Sequence, residues 1–491
     1  MKSQTSRHGQ WGCGCSRREF LVAAAGAGAI APSLLAGLAR GAESGAARKI
    51  APAGPASKYT PTIQAAFVRR KGDYGIRWPG AIYDGEAALK SYRGQIETAA
   101  REMGVKVVMR PEPIYTAAEA DEWLAQAKAG KPDGLFVVLL DRQDHAWPTA
   151  TKATDTKIPT VIFAPIGAAF TTNSAPLAKK AGSFIASTDD FAQAAYGLKM
   201  LRAGAKLREM RFVVIAGKER RDVEVKSLGT KLRYVPAPTF LDEYNKTAEN
   251  DEVKEIAAEY IKNATRISGA MEQDVLNGVK SYVVARNILE REEGDGITMD
   301  CLGALGRTKV SLPCIAWSRM LDHGIPAACE ADLGAAVTHA IVQYLFDRPG
   351  FQQDPVGDTG KEALVGAHCT CATRLNGLSE PPEPYYLSHH HGNRDAVPRP
   401  TWKVGQRMTV AIVEPRNLAA PALHMYISSG TVLDNVSVPP SGGCVVSVTA
   451  KLDGVTDYLD YPGFHQLFFY GDYKKQLKAY CQLAGIEARV V

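Results

Sequence analysis

The 491-residue sequence lacks the common signatures of phosphate binding and of serine hydrolysis. No Gly-x-Gly-x-x-Gly follows a strand-like run and no Gly-x-x-x-x-Gly-Lys-Ser/Thr is present, so nucleotide binding loses its usual backbone cradle. Gly-x-Ser-x-Gly is also missing, and with it the nucleophile elbow of α/β-hydrolases. The excess of basic side chains is small, 58 Lys and Arg against 52 Asp and Glu, and several of them fall near the N-terminus. No later basic run interleaved with aromatics follows, which excludes a nucleic-acid partner. Cysteines beyond residue 42 are Cys301, Cys314, Cys329, Cys369, Cys371, Cys444 and Cys481, an odd number spread over a long chain. That argues against a disulfide framework and for buried, small apolar residues. Cys369-Thr370-Cys371 has no second Cys or His pair at a spacing that suits zinc.

What is present begins with Ser16-Arg17-Arg18-Glu19-Phe20-Leu21, followed by an Ala/Gly-rich apolar stretch from Val22 to Ala39 and small residues before Ala42. This is a twin-arginine export signal over 1–42. The stretch contains Pro32 and is only weakly apolar, unlike a membrane anchor, and no Cys follows it to carry a lipid. The expected mature protein is soluble, periplasmic or secreted, without a stable membrane anchor and with the twin-arginine machinery as an export partner. That route carries folded proteins, so a metal can be loaded before export.

Residues 43–62 are rich in Ala, Gly, Pro and Ser and read as a linker. From Ala65-Ala66-Phe67-Val68 onward, short apolar runs alternate with helical patterns such as Glu86 to Met103 and Ala117 to Ala129. The alternation predicts parallel sheets covered by helices. One such unit spans 63–178 and a second 179–349. After Pro349 the texture changes to β-rich runs separated by Pro/Gly turns. The expected fold class is therefore α/β, two tandem doubly wound parallel-sheet domains followed by a β-rich C-terminal domain over 350–491.

Candidate chemistry gathers at element ends. Cys329-Glu330-Ala331-Asp332 places two carboxylates where a short strand gives way to a helix, with Asp332 also a natural helix cap. Gly296 to Cys301 ends a strand with Asp300, and Leu364 to Cys369 ends one with His368. Two carboxylates and a histidine from separate segments suit an open, oxygen-rich metal site. Arg348-Pro349 to Asp354-Pro355 links the second and third domains. His389 to His391 reads as a solvated loop or as a small imidazole cluster. His465 reads as a structural histidine or as a group facing the same cleft. His389 and His465, with Glu330, are the candidate sugar-binding side chains.

Cys329-Glu330-x-Asp332 leading into a helix, then Arg348-Pro349 and an aspartate, then a strand ending in His368, resembles the L-fucose/L-arabinose isomerase superfamily over residues 296–376. The resemblance implies a homo-oligomer that holds Mn²⁺, or another divalent cation, on two acids and a histidine. It places Asp332 and His368 among the ligands with Asp300, or after it Glu330, as the second acid, and gives Asp300 and Asp332 the proton transfer. It implies an aldose–ketose isomerase working through an enediol. Two other functions suit the same residues: a periplasmic sugar-binding protein without turnover, and another metal-assisted reaction on a sugar, such as epimerisation, elimination or hydrolysis.

Overall fold

Apolar runs separated by capped helices build a first parallel sheet. In this computed structural model the described residues are 48–491, apart from 49, 51–52, 73, 77–82, 143–144, 391–393, 415–422 and 438–445. The export signal expected over 1–42, His391 and Cys444 lie outside them. Five parallel strands are ordered Lys106–Met109, Thr62–Val68, Gly134–Leu139, Thr160–Ala164, Ser183–Ser187. This is the 2-1-3-4-5 order of a doubly wound sheet. Alternate residues of Thr62–Val68 feed two cores, Ala65 and Phe67 one, Ala66 and Val68 the other. The Gly85–Met103 helix starts where Asp84 accepts from the Glu86 and Ala87 amides and stops at Gly104, whose φ of 64° is open to glycine. Ala117–Gly130 starts on a Thr116/Glu119 capping box. The Ser183–Ser187 strand joins this first sheet although it lies beyond the boundary at 178 expected from sequence.

The second sheet departs from a doubly wound unit. Ala327–Ala328, Gly296–Met299, Arg211–Ile215 and Thr230–Val235 are parallel neighbours, but the chain reaches Thr230–Val235 through an antiparallel edge strand, Arg221–Val225, rather than a helix. That strand is exposed along four of its five residues. It is rich in charge, as edges that must resist further pairing are.

The β-rich region is a closed antiparallel barrel. Its strands run Arg407–Glu414, Gln466–Tyr470, Phe351–Asp358, Ala363–His368, Val446–Leu452, His424–Asn435, and the last pairs back to the first. Closure removes free edges. The hairpin Tyr385–His390/Arg394–Pro400 stands outside the barrel; it pairs with Ile267–Ser268 and packs on the Glu272–Arg291 helix. The Lys474–Ala484 helix returns to the outer edge of the first sheet, where the Gln482 carbonyl accepts from the Gly182 amide at 2.8 Å and Gln482 Nε2 donates to the Ser183 carbonyl at 2.9 Å.

The Leu333–Phe346 helix is apolar on nearly every face and almost wholly buried, as befits an element caught between layers. It joins the core that spans both sheets and the barrel. Thr338 Oγ1 fixes its register on the barrel by accepting from the Val413 amide at 2.9 Å.

A buried carboxylate fixes the turn after the strand ending in His368. Asp322 accepts from the Thr373 and Arg374 amides at 2.8 Å each and from Thr373 Oγ1 at 2.7 Å. Replacing Asp322 with Ala strands these donors, an expected loss of about 2–4 kcal/mol in urea unfolding. Asp322→Asn keeps one acceptor oxygen for the two amides and is expected to lose less.

Candidate functional site

Three neighbouring barrel strands bring Asp354, His368 and His465 together. Phe351–Asp358 lies between Ala363–His368 and Gln466–Tyr470, with Asp354 opposite Ala367 and Gln353 opposite Gln466. His368 ends its strand and His465 immediately precedes its own. Glu330 and Asp332 reach the same point from the loop that follows the parallel strand Ala327–Ala328. Loops at the carboxyl ends of parallel strands are where α/β sheets place ligands.

The loop is clamped. Gln352 Oε1 accepts from the Cys329 amide at 2.8 Å, and the Ala331 amide donates to the Met299 carbonyl at 2.9 Å. Between these ties Glu330 and Ala331 take left-handed backbone, φ 60° and 54°, and His465 does so at φ 52°. Each such non-glycine residue costs on the order of 1–3 kcal/mol and persists only where its surroundings over-determine it. Strain at three residues of one site is the local price of aiming Glu330 at the histidines.

His465 is the centre of the arrangement. Its Nδ1 lies 3.0 Å from Asp332 Oδ2, while its Nε2 lies 3.1 Å from Asp354 Oδ1 and 3.4 Å from Glu330 Oε2. His368 Nε2 is 3.8 Å from Glu330 Oε1, and the two imidazole rings are 5.5 Å apart. Burial disfavours the His465 imidazolium, but Asp332, Asp354 and Glu330 outweigh it and push its pKa up to about 11. Burial likewise opposes charge on His368, and Cys369 beside it leaves a net upward shift. Three carboxylates surround His465, an excess of negative charge that a divalent cation can balance in place of the imidazole proton.

The donor set fits a divalent cation. One ligand atom each from Glu330, His368 and His465 lies within 4.8 Å of the others. His465 Nε2 and Asp354 Oδ1 are buried and neither makes a hydrogen bond of proper geometry. Donors held about 2.1 Å from one ion sit roughly 3 Å apart, close to the spacings seen. Asp332 on the far nitrogen of His465 matches the carboxylate that orients a ligating histidine and fixes its tautomer.

Several site residues read from sequence occupy other places. Asp300 Oδ1 caps the short Cys301–Leu305 helix, accepting from the Gly303 amide at 3.0 Å, and does not join the cluster of ligand atoms. Asp332 caps the Leu333–Phe346 helix through Oδ1 and turns only Oδ2 to His465. His389, buried, faces Asp274 at 3.1 Å on the Glu272–Arg291 helix. Glu330, His368 and His465 do converge. Asp354 reads in sequence as part of a linking stretch, where it is the aspartate that follows Arg348-Pro349; the proline after it disguises a strand residue.

No family model matches the chain, and no curated protein matches it. Similar solved structures are sugar-binding proteins. GanP, a glucose-galactose binding protein from Geobacillus stearothermophilus, is 14% identical, covering 59% of this chain and 92% of its own, with a TM-score of 0.19. A periplasmic solute-binding protein of an ABC transporter from Actinobacillus succinogenes 130z, solved with D-allose, is 14% identical over 58% of this chain and 92% of its own, with a TM-score of 0.19. A sugar-binding protein of a sugar ABC transporter from Bacillus halodurans is 17% identical over 58% of this chain and 87% of its own, with a TM-score of 0.18. Scores this low carry neither fold nor function across. The resemblance to the L-fucose/L-arabinose isomerase superfamily, with its aldose–ketose isomerisation and its manganese, is corrected here: no family model matches the chain, an isomerase model included.

The strained loop yields a direct test. Ala331→Gly removes a Cβ from left-handed backbone and is expected to leave stability unchanged or raise it by up to about 1 kcal/mol. Ala331→Val puts a branched side chain there and is expected to cost about 1–3 kcal/mol. Thermal unfolding of both variants beside the parent measures the difference.

Proposed function

We propose that the chain is an exported carbohydrate-binding protein in which a divalent cation, held by Glu330, Asp354 and His465 with His368 alongside, anchors a polyhydroxylated small molecule. The observation that carries this reading is the convergence of two carboxylates on His465 Nε2, with that nitrogen and Asp354 Oδ1 both buried and lacking a hydrogen bond of proper geometry. Glu330 keeps 34% of its side chain exposed, so the site opens to solvent on that side. A cation with open positions accepts adjacent hydroxyl oxygens in place of water and supplies Lewis-acid polarisation of a bound oxygen.

This chain's own residues have distinct tasks. Asp332 holds His465 in the tautomer that presents Nε2. The Gln352 clamp on Cys329 aims Glu330. The Arg17-Arg18 pair supports export, in keeping with this reading. A second reading, metal-assisted turnover of the bound sugar, is favoured by Asp332, an acid within one hydrogen bond of the site and already held in place.

Calorimetric titration of aldopentoses and aldohexoses into chelator-stripped protein, with and without added Co²⁺ or Mg²⁺, tests the reading. Binding is expected only with the cation, and weaker by at least about tenfold in Glu330→Gln and His465→Ala, as for loss of a ligand or its support. Equal sugar binding with and without metal would overturn it. Chromatography of the sugar after incubation separates binding from turnover.

A further inference from the structure

A second group of metal-ligating side chains lies behind His368, outside the acidic cluster. Cys314 opens the Cys314–Asp322 helix, Cys369 follows the Ala363–His368 strand, and His390 ends the Tyr385–His390 strand. One ligand atom from each lies within 4.8 Å of the others. Cys329, just before Glu330, meets Cys369 and His368 within the same limit. Cys314, Cys329 and His390 are 3%, 2% and 2% exposed, and Cys369 is half-buried, so the group is largely shielded from bulk water.

We infer that Cys314, Cys369 and His390, with Cys329 as the fourth donor, bind a structural Zn²⁺ ion. Two or three thiolates and one imidazole from four separate segments are the donor set of closed, four-coordinate zinc sites. Soft sulfur selects zinc, whereas the carboxylate-rich group on the other side of His368 suits a harder ion, so the two sites sort different cations.

Local structure supports the assignment. The strand pairing shifts register between His389 and His390, with the opposing bulge at Asp395, whose φ is 59°. Successive strand residues point to opposite faces, so His389 faces Asp274 while His390 faces the sulfurs. Asp395 acts electrostatically on His390, in keeping with the carboxylate that backs a ligating histidine. On the other flank the Asp322 carboxylate holds Thr373 and Arg374, fixing the segment that carries Cys369. Cys371 plays no part: it is fully buried in the barrel core beside Trp402, so the Cys369-Thr370-Cys371 spacing is not the chelating unit.

The test uses the full chain, expressed without a histidine tag, purified under reducing conditions and loaded with zinc. X-ray absorption at the zinc edge is expected to show at least two sulfur neighbours at about 2.3 Å. Zinc that survives dialysis against EDTA is expected at one ion per chain, and is expected to fall at least tenfold in Cys314→Ser and in His390→Ala. It is expected to persist in Asp354→Asn, which removes a ligand of the acidic site only. A zinc shell of oxygen and nitrogen alone, in the unmodified chain, overturns the assignment whether or not the variants fold. Peptide mapping without reduction that finds a Cys314–Cys369 or Cys329–Cys369 disulfide in all of the protein as isolated from the export compartment also overturns it.

Discussion

The Asp332–His465 hydrogen bond ties the two halves of the site together. Asp332 belongs to the first turn of the Leu333–Phe346 helix, and His465 belongs to the rim of the barrel. The bond spans that junction at 3.0 Å. It is made by a carboxylate already held through its other oxygen by the Ala335 amide, so little side-chain freedom remains to be lost. Around it stand two more carboxylates, Glu330 and Asp354. Their mutual repulsion in a half-buried place is tolerable only because His465 sits among them.

That constraint explains the unusual backbone nearby. A loop aiming Glu330 at His465 while returning Asp332 to the head of a helix has only two residues in which to reverse. Left-handed conformations at Glu330 and Ala331 accomplish the reversal. The Gln352 clamp and the Met299 carbonyl hold the loop there. Glycine would relieve the turn, but Glu330 needs its side chain for the site.

The parallel-sheet half of the fold was legible because buried parallel strands are unbroken apolar runs, as in Gly134–Leu139, and because their helices carry caps such as Asp84 and Thr116. Glu330, Asp332 and His368 were legible as carboxylates and an imidazole at element ends. Asp300 looked equivalent, yet Gly303 two residues into the next helix lets that helix fold back onto its carboxylate, so the acid is spent on a cap. Closure of the barrel was not legible, since pairing between Arg407–Glu414 and His424–Asn435 completes a ring whose other members lie far along the chain. The same long-range pairing hid the role of Asp354, which strand order sets between His368 and His465 although His465 lies far along the chain. Cys314 and His390 lie on a helix and a strand that no local pattern pairs, so their convergence was not legible either.

His368 and Cys369 stand at the boundary between the two donor groups. His368 Nδ1 lies 3.4 Å from Cys369 Sγ, while its Nε2 faces Glu330. A ligand bound by Cys369 therefore fixes the sulfur against which the His368 ring rests, and the ring in turn narrows the place available to an ion beside Glu330. The dependence runs in one direction structurally: the thiol group is largely shielded and pinned by Asp322, whereas the acidic group is open at Glu330. Zinc in the inner group would act as part of the scaffold, and the outer ion would exchange with the surroundings. On the proposed assignments a soft ion would organise the protein and a harder ion would meet the ligand, with one dipeptide, His368-Cys369, holding the two apart by little more than a ring's width.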